Sequence, residues 1–179
     1  MRLFSYLLLS FLSVALVVPK SFGDYSVSGN SSTQLVVSVA EQRMALVQDG
    51  VVLKKYPIST SRFGIGDNYG SYKTPVGHLR VCSKIGGGLP QGAVLRGCSP
   101  TGEVLSTNAP GRDPIVTRIL SLEGTDSSTS HARTRGIYIH GTPVERLLGK
   151  PVSYGCIRMR SRDVVEIYTS LFVGSVRCV

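Results

Sequence analysis

The chain has 179 residues, enough for one domain with a full core, and carries 20 Lys+Arg against 11 Asp+Glu. The formal charge of +9 suits an anionic partner, but the basic residues are scattered, with no run longer than Lys54-Lys55, which excludes a dedicated nucleic-acid patch. Three histidines without CxxC or HExxH spacing exclude a recognisable metal site, and the lack of GxSxG excludes a serine hydrolase of that kind.

In chain order, residues 1–23 read as a secretory signal peptide. Arg2 supplies the positive start, Leu3 to Val18 the apolar run, Pro19 the break, and Ser21-Phe22-Gly23 the small residues at −3 and −1. An uncleaved anchor is the other reading, but the run is short for a membrane span. No cysteine follows it to carry a lipid, and no second apolar stretch is long enough to cross a membrane. Cleavage would remove Arg2 and Lys20, leaving 18 Lys+Arg against 11 Asp+Glu, a charge of +7. The expected location is exported, in the periplasm or cell wall, where an anionic wall polymer is a better partner than nucleic acid.

Residues 24–33 are rich in Ser, Gly and Asn and read as a flexible leader; 34–179 form the domain. Leu35, Val37 and Val39 alternate with polar or smaller residues, and Asp49-Gly50 joins two β-rich runs, the strongest short hairpin signal. Three antiparallel strands are therefore expected to open a sheet. Ser59 to Thr74 is a long polar loop, and long loops in compact domains are often functional. His78 to Cys82 reads as a strand. Gly86-Gly87-Gly88 lacks the Lys-Ser/Thr and the helix that a phosphate loop requires, so it reads as a surface bend. Residues 89–113 read as loop with short strands, and Ile115 to Leu122 as a further strand. Thr142-Pro143 and Ser161-Arg162-Asp163 read as starts of two short helices, ending at Gly149 and Gly174. Val164, Val165, Tyr168, Leu171 and Phe172 give the second its apolar face, and Val176 to Val179 a last strand. The expected class is mainly β, with two short helices near the C-terminus.

Four cysteines in an exported chain suggest disulfides, and Cys82 and Cys98, flanking the glycine-rich loop, are the candidate pair. Cys178 lies in an alternating run and suits the core as a small hydrophobe. Cys156 is different. It sits in a tight Ser-Tyr-Gly-Cys-Ile-Arg turn, with fifteen residues between it and His140. Gly155 lets the backbone turn sharply, successive amides at Gly155 and Cys156 suit an oxyanion, and Arg158 is placed to lower the thiol pKa or hold a substrate carboxylate. Strand parity puts Ile137 and Ile139 on the core side and Tyr138 and His140 on the opposite, site-facing side. A lone cysteine is most often inert, and a Cys with a distant His is a weak signal by itself. His78 and His131 read as structural.

Ile139-His140-Gly141 together with Ser153-Tyr154-Gly155-Cys156-Ile157-Arg158-Met159 resembles the signature of the L,D-transpeptidase catalytic domain family (YkuD-type). Lys73 to Val81 resembles its Thr-Pro-x-Gly segment, while Pro100–Leu105, Thr117–Gly124 and Ile137–Pro143 resemble segments of its Gram-negative members. The likeness spans roughly 34–178. It implies a sandwich-like β domain with the cysteine under a lid. It implies Cys156 as nucleophile, His140 as base, and the Gly141 carbonyl as orienter of the imidazole. Ser153, Tyr154, Gly155, Arg158 and Tyr138 become the oxyanion and substrate residues. No cofactor or metal is implied, and the protein would be a monomer.

The implied reaction is transpeptidation of peptidoglycan tetrapeptide stems through a cysteine thioester. The acceptor would be a stem amine, giving 3–3 cross-links, or a lysine of an outer-membrane protein, with cell-wall organisation and cell shape as the setting. One departure stands out: the residue before Gly155 is commonly His in the family and is Tyr154 here, which donates a hydrogen bond but carries no charge at neutral pH. The same site used for hydrolysis, as an L,D-carboxypeptidase or amidase, is the nearest alternative. A catalytically dead wall-binding module is disfavoured by retention of both Cys156 and His140. A papain-like protease is disfavoured because there the cysteine precedes the histidine.

Overall fold

Asp49 and Gly50 both hold positive φ, 51° and 79°, the geometry that a two-residue hairpin turn demands. They join β2 (Arg43–Gln48) to β3 (Val51–Pro57), and β1 (Thr33–Ser38) pairs antiparallel on the far side of β2. The computed structural model describes residues 33–170 and 175–179. The expected signal peptide, nearly all of the leader, and Leu171, Phe172 and Gly174 lie outside the described residues.

The chain continues through β4 (Gly77–Ile85), β5 (Ala93–Arg96), β6 (Ser99–Val104) and β7 (Ile115–Gly124). Then come β8 (Tyr138–Gly141), β9 (Ile157–Met159), α1 (Ser161–Ser170) and β10 (Ser175–Cys178). The hydrogen-bonded order is β3-β2-β1-β10-β4-β7-β5-β6, with β8 pairing on β7 and β9 on β8. β10 closes the gap between the opening meander and β4, parallel to β1 and antiparallel to β4. Strands from both arms of this ladder bury into one core that includes Leu35, Met44, Leu79, Leu120, Ile139, Ile157, Val164 and Cys178. The protein is mainly β, as expected.

Of the two expected helices, only α1 is an α-helix. It packs on β7 and β8, burying Val164 and Ile167 one turn apart, while Val165 and Tyr168 are only half-buried. The Thr142-Pro143 start leads to a single 3-10 turn, Glu145–Leu147. Thr142 Oγ1 does accept the Val144 N–H (3.1 Å), as a cap should. Leu148 is then extended and the Gly149 N–H is taken by the Ile58 carbonyl (2.8 Å), so tertiary pairing ends the turn before it propagates. Cys82, Cys98, Cys156 and Cys178 are all free thiols. The candidate pair is unbridged: Cys82 donates to Ser121 O (3.4 Å) and Cys98 lies 3.9 Å from the Tyr138 hydroxyl. Cys178 is buried in the core, as its alternating run suggests.

Candidate active site

His140 is the third residue of β8, between core residue Ile139 and Gly141, and is 6% exposed. Opposite it β7 is irregular: Val116 pairs with Gly141 but Ile119 pairs with His140. The two extra residues form a bulge in which Thr117 takes φ 74°. That is a costly conformation for a β-branched residue, and such strain clusters at functional sites. Thr117 is held there by its side chain, which accepts the Gly92 N–H (2.9 Å) and donates to Ser161 Oγ (2.8 Å). The bulge brings Val116 O against Gly141 so closely that a Cβ there would sit 2.6 Å from it. Hence position 141 admits only glycine, and its carbonyl turns to meet His140 Nδ1 at 2.8 Å. With Nδ1–H donating to that carbonyl, the neutral ring leaves Nε2 as its basic nitrogen. Burial pushes the imidazole down to about 4, opposed by the Gly141 bond and reinforced by the nearby Arg158 charge.

The cysteine turn, 153–156, precedes β9 and is braced from two sides. Internally, buried Ser153 donates to Cys156 O (2.6 Å) and accepts the Gly155 N–H (3.2 Å). Externally, the 59–74 loop wraps it. Thr60 O accepts the Ser153 N–H (2.9 Å), the Arg62 N–H donates to Ser153 O (3.1 Å), and Thr74 Oγ1 donates to Gly155 O (3.0 Å). Gly155 has φ 119°, and an added Cβ would press on Ile137, Lys73 O and Tyr72 O at 3.2 to 3.5 Å. Here glycine is required by both dihedral and space.

Cys156 is partly exposed. Its Sγ lies 3.4 Å from the Gly136 carbonyl and accepts the Tyr138 N–H. Burial raises the thiol to about 11; the Tyr138 amide, Arg135 and Arg158 act in the opposite direction. The unliganded pair is thus thiol and neutral imidazole. β8 and β9 run parallel with His140 paired to Arg158, which brings the end of the cysteine turn beside the histidine strand. Cys156 and His140 line one cleft of about 410 Å³ with Arg62, Asp113, Ser153, Tyr154 and Arg158.

Arg158 is 6% exposed, pairs with Asp113 Oδ2 at 2.7 Å and reaches Thr142 Oγ1 at 3.4 Å; Thr142 in turn donates to Asp113 Oδ1 at 2.5 Å. Tyr154 is 60% exposed and forms an aromatic cluster with Phe63 and Tyr72 at centroid separations of 5.5 and 6.0 Å. Of the residues expected at the site, Cys156, His140, Ser153, Tyr154 and Arg158 line the cleft, Gly141 orients the imidazole, and Gly155 shapes the turn. Tyr138 contributes its backbone N–H, while its phenol turns to Cys98. Arg62 and Asp113 escaped sequence reasoning. Each lies in an irregular loop without a motif, and only the long polar 59–74 segment hinted at one of them.

A partly exposed thiol and a buried imidazole, brought to one cleft of a mainly β domain by the parallel pairing of β8 with β9, are the pair of groups that cysteine/histidine acyl transfer requires. Residues 32–177 match the family described as YkuD, L,D-transpeptidase catalytic domain, and the chain belongs to that family. It is 28% identical over 141 residues to a Bacillus subtilis (strain 168) protein provisionally named L,D-transpeptidase YqjB, covering 79% of this chain and 67% of that protein. Two solved structures share its fold. L,D-transpeptidase 3 from Mycobacterium tuberculosis, in complex with a faropenem-derived adduct, is 20% identical with a TM-score of 0.53, covering 83% of this chain and 60% of that one. An L,D-transpeptidase from Xylanimonas cellulosilytica is 18% identical with a TM-score of 0.51, covering 86% and 63%. The chain spans less than two thirds of the length of either solved chain.

Proposed function

We propose that the protein is an exported peptidoglycan L,D-transpeptidase that works through a Cys156 thioester. The observation that carries this reading is the shared cleft: Cys156 and His140 both line it, and the Gly141 carbonyl fixes the imidazole with Nε2 as the free base. Family membership supplies the substrate class, peptidoglycan stem peptides.

The donor is a tetrapeptide stem whose last peptide bond joins an L-centre to a D-residue. As Sγ attacks the carbonyl carbon of the L-centre, Nε2 of His140 takes the thiol proton. The Cys156 amide would receive the oxyanion, joined by the Gly155 N–H, which now donates to Ser153 Oγ. Collapse breaks the C–N bond, His140 returns the proton to the departing amine, and a thioester remains. An acceptor amine then attacks the thioester, giving its proton to His140, and the protonated histidine restores the thiol. A stem diaminopimelate amine as acceptor makes a 3–3 cross-link. A lysine of an outer-membrane protein attaches that protein to the wall.

In this scheme Ser153 braces the turn, while Tyr154 and Arg158 present the cleft wall to the stem. His140 carries the proton in both half-reactions. Water in place of the amine would make the enzyme an L,D-carboxypeptidase. The test is incubation with tetrapeptide stems and a labelled D-amino acid, followed by muropeptide mass spectrometry. Wild type should exchange the terminal residue or form cross-links, and Cys156→Ala should do neither. Tripeptides alone would move the assignment to hydrolysis; exchange surviving in Cys156→Ala would place the nucleophile elsewhere.

A further inference from the structure

The ionised side chains lining the cleft are Arg62, Arg158 and Asp113. Two guanidiniums face one carboxylate, while the Cys156 thiol and His140 are neutral, so the unliganded cleft lacks one negative charge. Arg158 is committed to Asp113, yet its buried Nε has no hydrogen-bond partner among the described residues. A buried donor left unsatisfied costs about 1–3 kcal/mol, and a ligand oxygen would recover it. The positive charges of Arg62 and Arg158 are close enough to oppose one another.

Arg62 is exposed but well placed. Its backbone is tied to Ser153 O, one of its guanidinium nitrogens donates to Val152 O (3.2 Å), and its Cζ lies 4.8 Å over the Tyr154 ring. A cation held on an aromatic face keeps its remaining N–H groups free for a planar acceptor. Tyr154 occupies the position where the family commonly has histidine. A protonated histidine there would add a third positive charge and repel Arg62. A phenol ring gives Arg62 a neutral shelf.

We infer that Arg62, seated on Tyr154 and acting with Arg158, binds the carboxylate at the D-terminus of the donor stem and makes the enzyme select free-acid over amidated stems. This rests on the transpeptidase reading above and adds a specificity residue to it. The guanidinium pair balances the stem carboxylate, and Asp113 keeps Arg158 paired when the cleft is empty.

The experiment compares tetrapeptide stems ending in a free D-carboxylate or a D-carboxamide, reading Cys156 acylation as kcat/KM in wild type, Arg62→Gln and Arg62→Lys. Wild type should favour the acid by roughly tenfold, the low end for a hydrogen bond to a charged group. Arg62→Gln should bring the acid-to-amide ratio near one, chiefly through loss of the acid rate, and Arg62→Lys should fall between. Equal wild-type rates for acid and amide, or an unchanged preference in Arg62→Gln, would overturn the inference while leaving the transpeptidase reading intact. If neither stem acylates wild-type Cys156, the transpeptidase reading fails instead. The carboxylate site is then judged by protection against iodoacetamide. N-acetyl-D-alanine should slow alkylation of Cys156 more than N-acetyl-D-alaninamide in wild type but not in Arg62→Gln, and equal slowing by acid and amide would overturn it.

Discussion

Burial pushes the Cys156 thiol up to about 11 and the His140 imidazole down to about 4, so across the neutral range each holds its uncharged form. In the proposed mechanism a thiolate therefore forms only as substrate is attacked, with His140 as general base, and is absent from the resting site. Two pH profiles check this. Alkylation of Cys156 by iodoacetamide should climb steadily toward pH 11 without a plateau near 7; a neutral plateau would mean a preformed thiolate–imidazolium pair. Acylation by stems should hold level down to about pH 5 and fall as His140 protonates, because only the neutral ring accepts the proton. Asp113 matters through Arg158. Asp113→Asn leaves a nearly buried guanidinium without its counter-charge and should cost about 1–3 kcal/mol by urea denaturation. This is less than the penalty for a fully buried pair, because the Asp113 side chain is 31% exposed. Arg158→Met in the same background should return most of it; no recovery would show that the pair is not what Asp113 supports.

The turn at 153–156 depends on the 59–74 loop as much as on its own sequence. Gly155→Ala forces a side chain to φ 119° and into contact with Ile137 and the Tyr72 and Lys73 carbonyls. It should lower stability by about 1–3 kcal/mol and abolish Cys156 acylation, read by denaturation and intact mass. Normal acylation would mean the turn tolerates another backbone path. Much at this scale was legible beforehand. The Asp49-Gly50 hairpin, the parity of Ile137 and Ile139 against Tyr138 and His140, and the glycine beside the cysteine each follow from local chemistry. What was not legible arises from distant pairings. Ile115 to Leu122 reads as a regular strand, yet Thr117 bulges because Gly92, Ser161 and Gly141 converge on it. The Thr142-Pro143 cap signal was sound, but Ile58 intercepts the Gly149 amide. Arg62 and Asp113 carry no motif; the fold alone brings them to the cleft.

Across the whole molecule, the neutral imidazole and the neutral thiol tie stability to pH. His140 has a folded pKa of about 4 against an ordinary 6.5, so the stability from burying its neutral form is complete above 6.5 and is lost as pH falls toward 4. For Cys156 the ordinary 9.0 rises to about 11, so that contribution is complete below 9 and is lost as pH rises toward 11. Urea midpoints should therefore fall on both sides of the neutral range, and His140→Gln should flatten the acid limb; an unaltered acid limb would mean other groups carry it. The cleft and the ladder that presents it converge on a single claim, that Cys156 is the nucleophile of an acyl-transferring site. The most direct measurement is intact-mass spectrometry after exposure to a carbapenem. Wild type should gain one adduct, mapped to Cys156, and Cys156→Ser should gain none. Wild type left unmodified with its thiol demonstrably reduced, or an adduct on any other residue, would contradict the account.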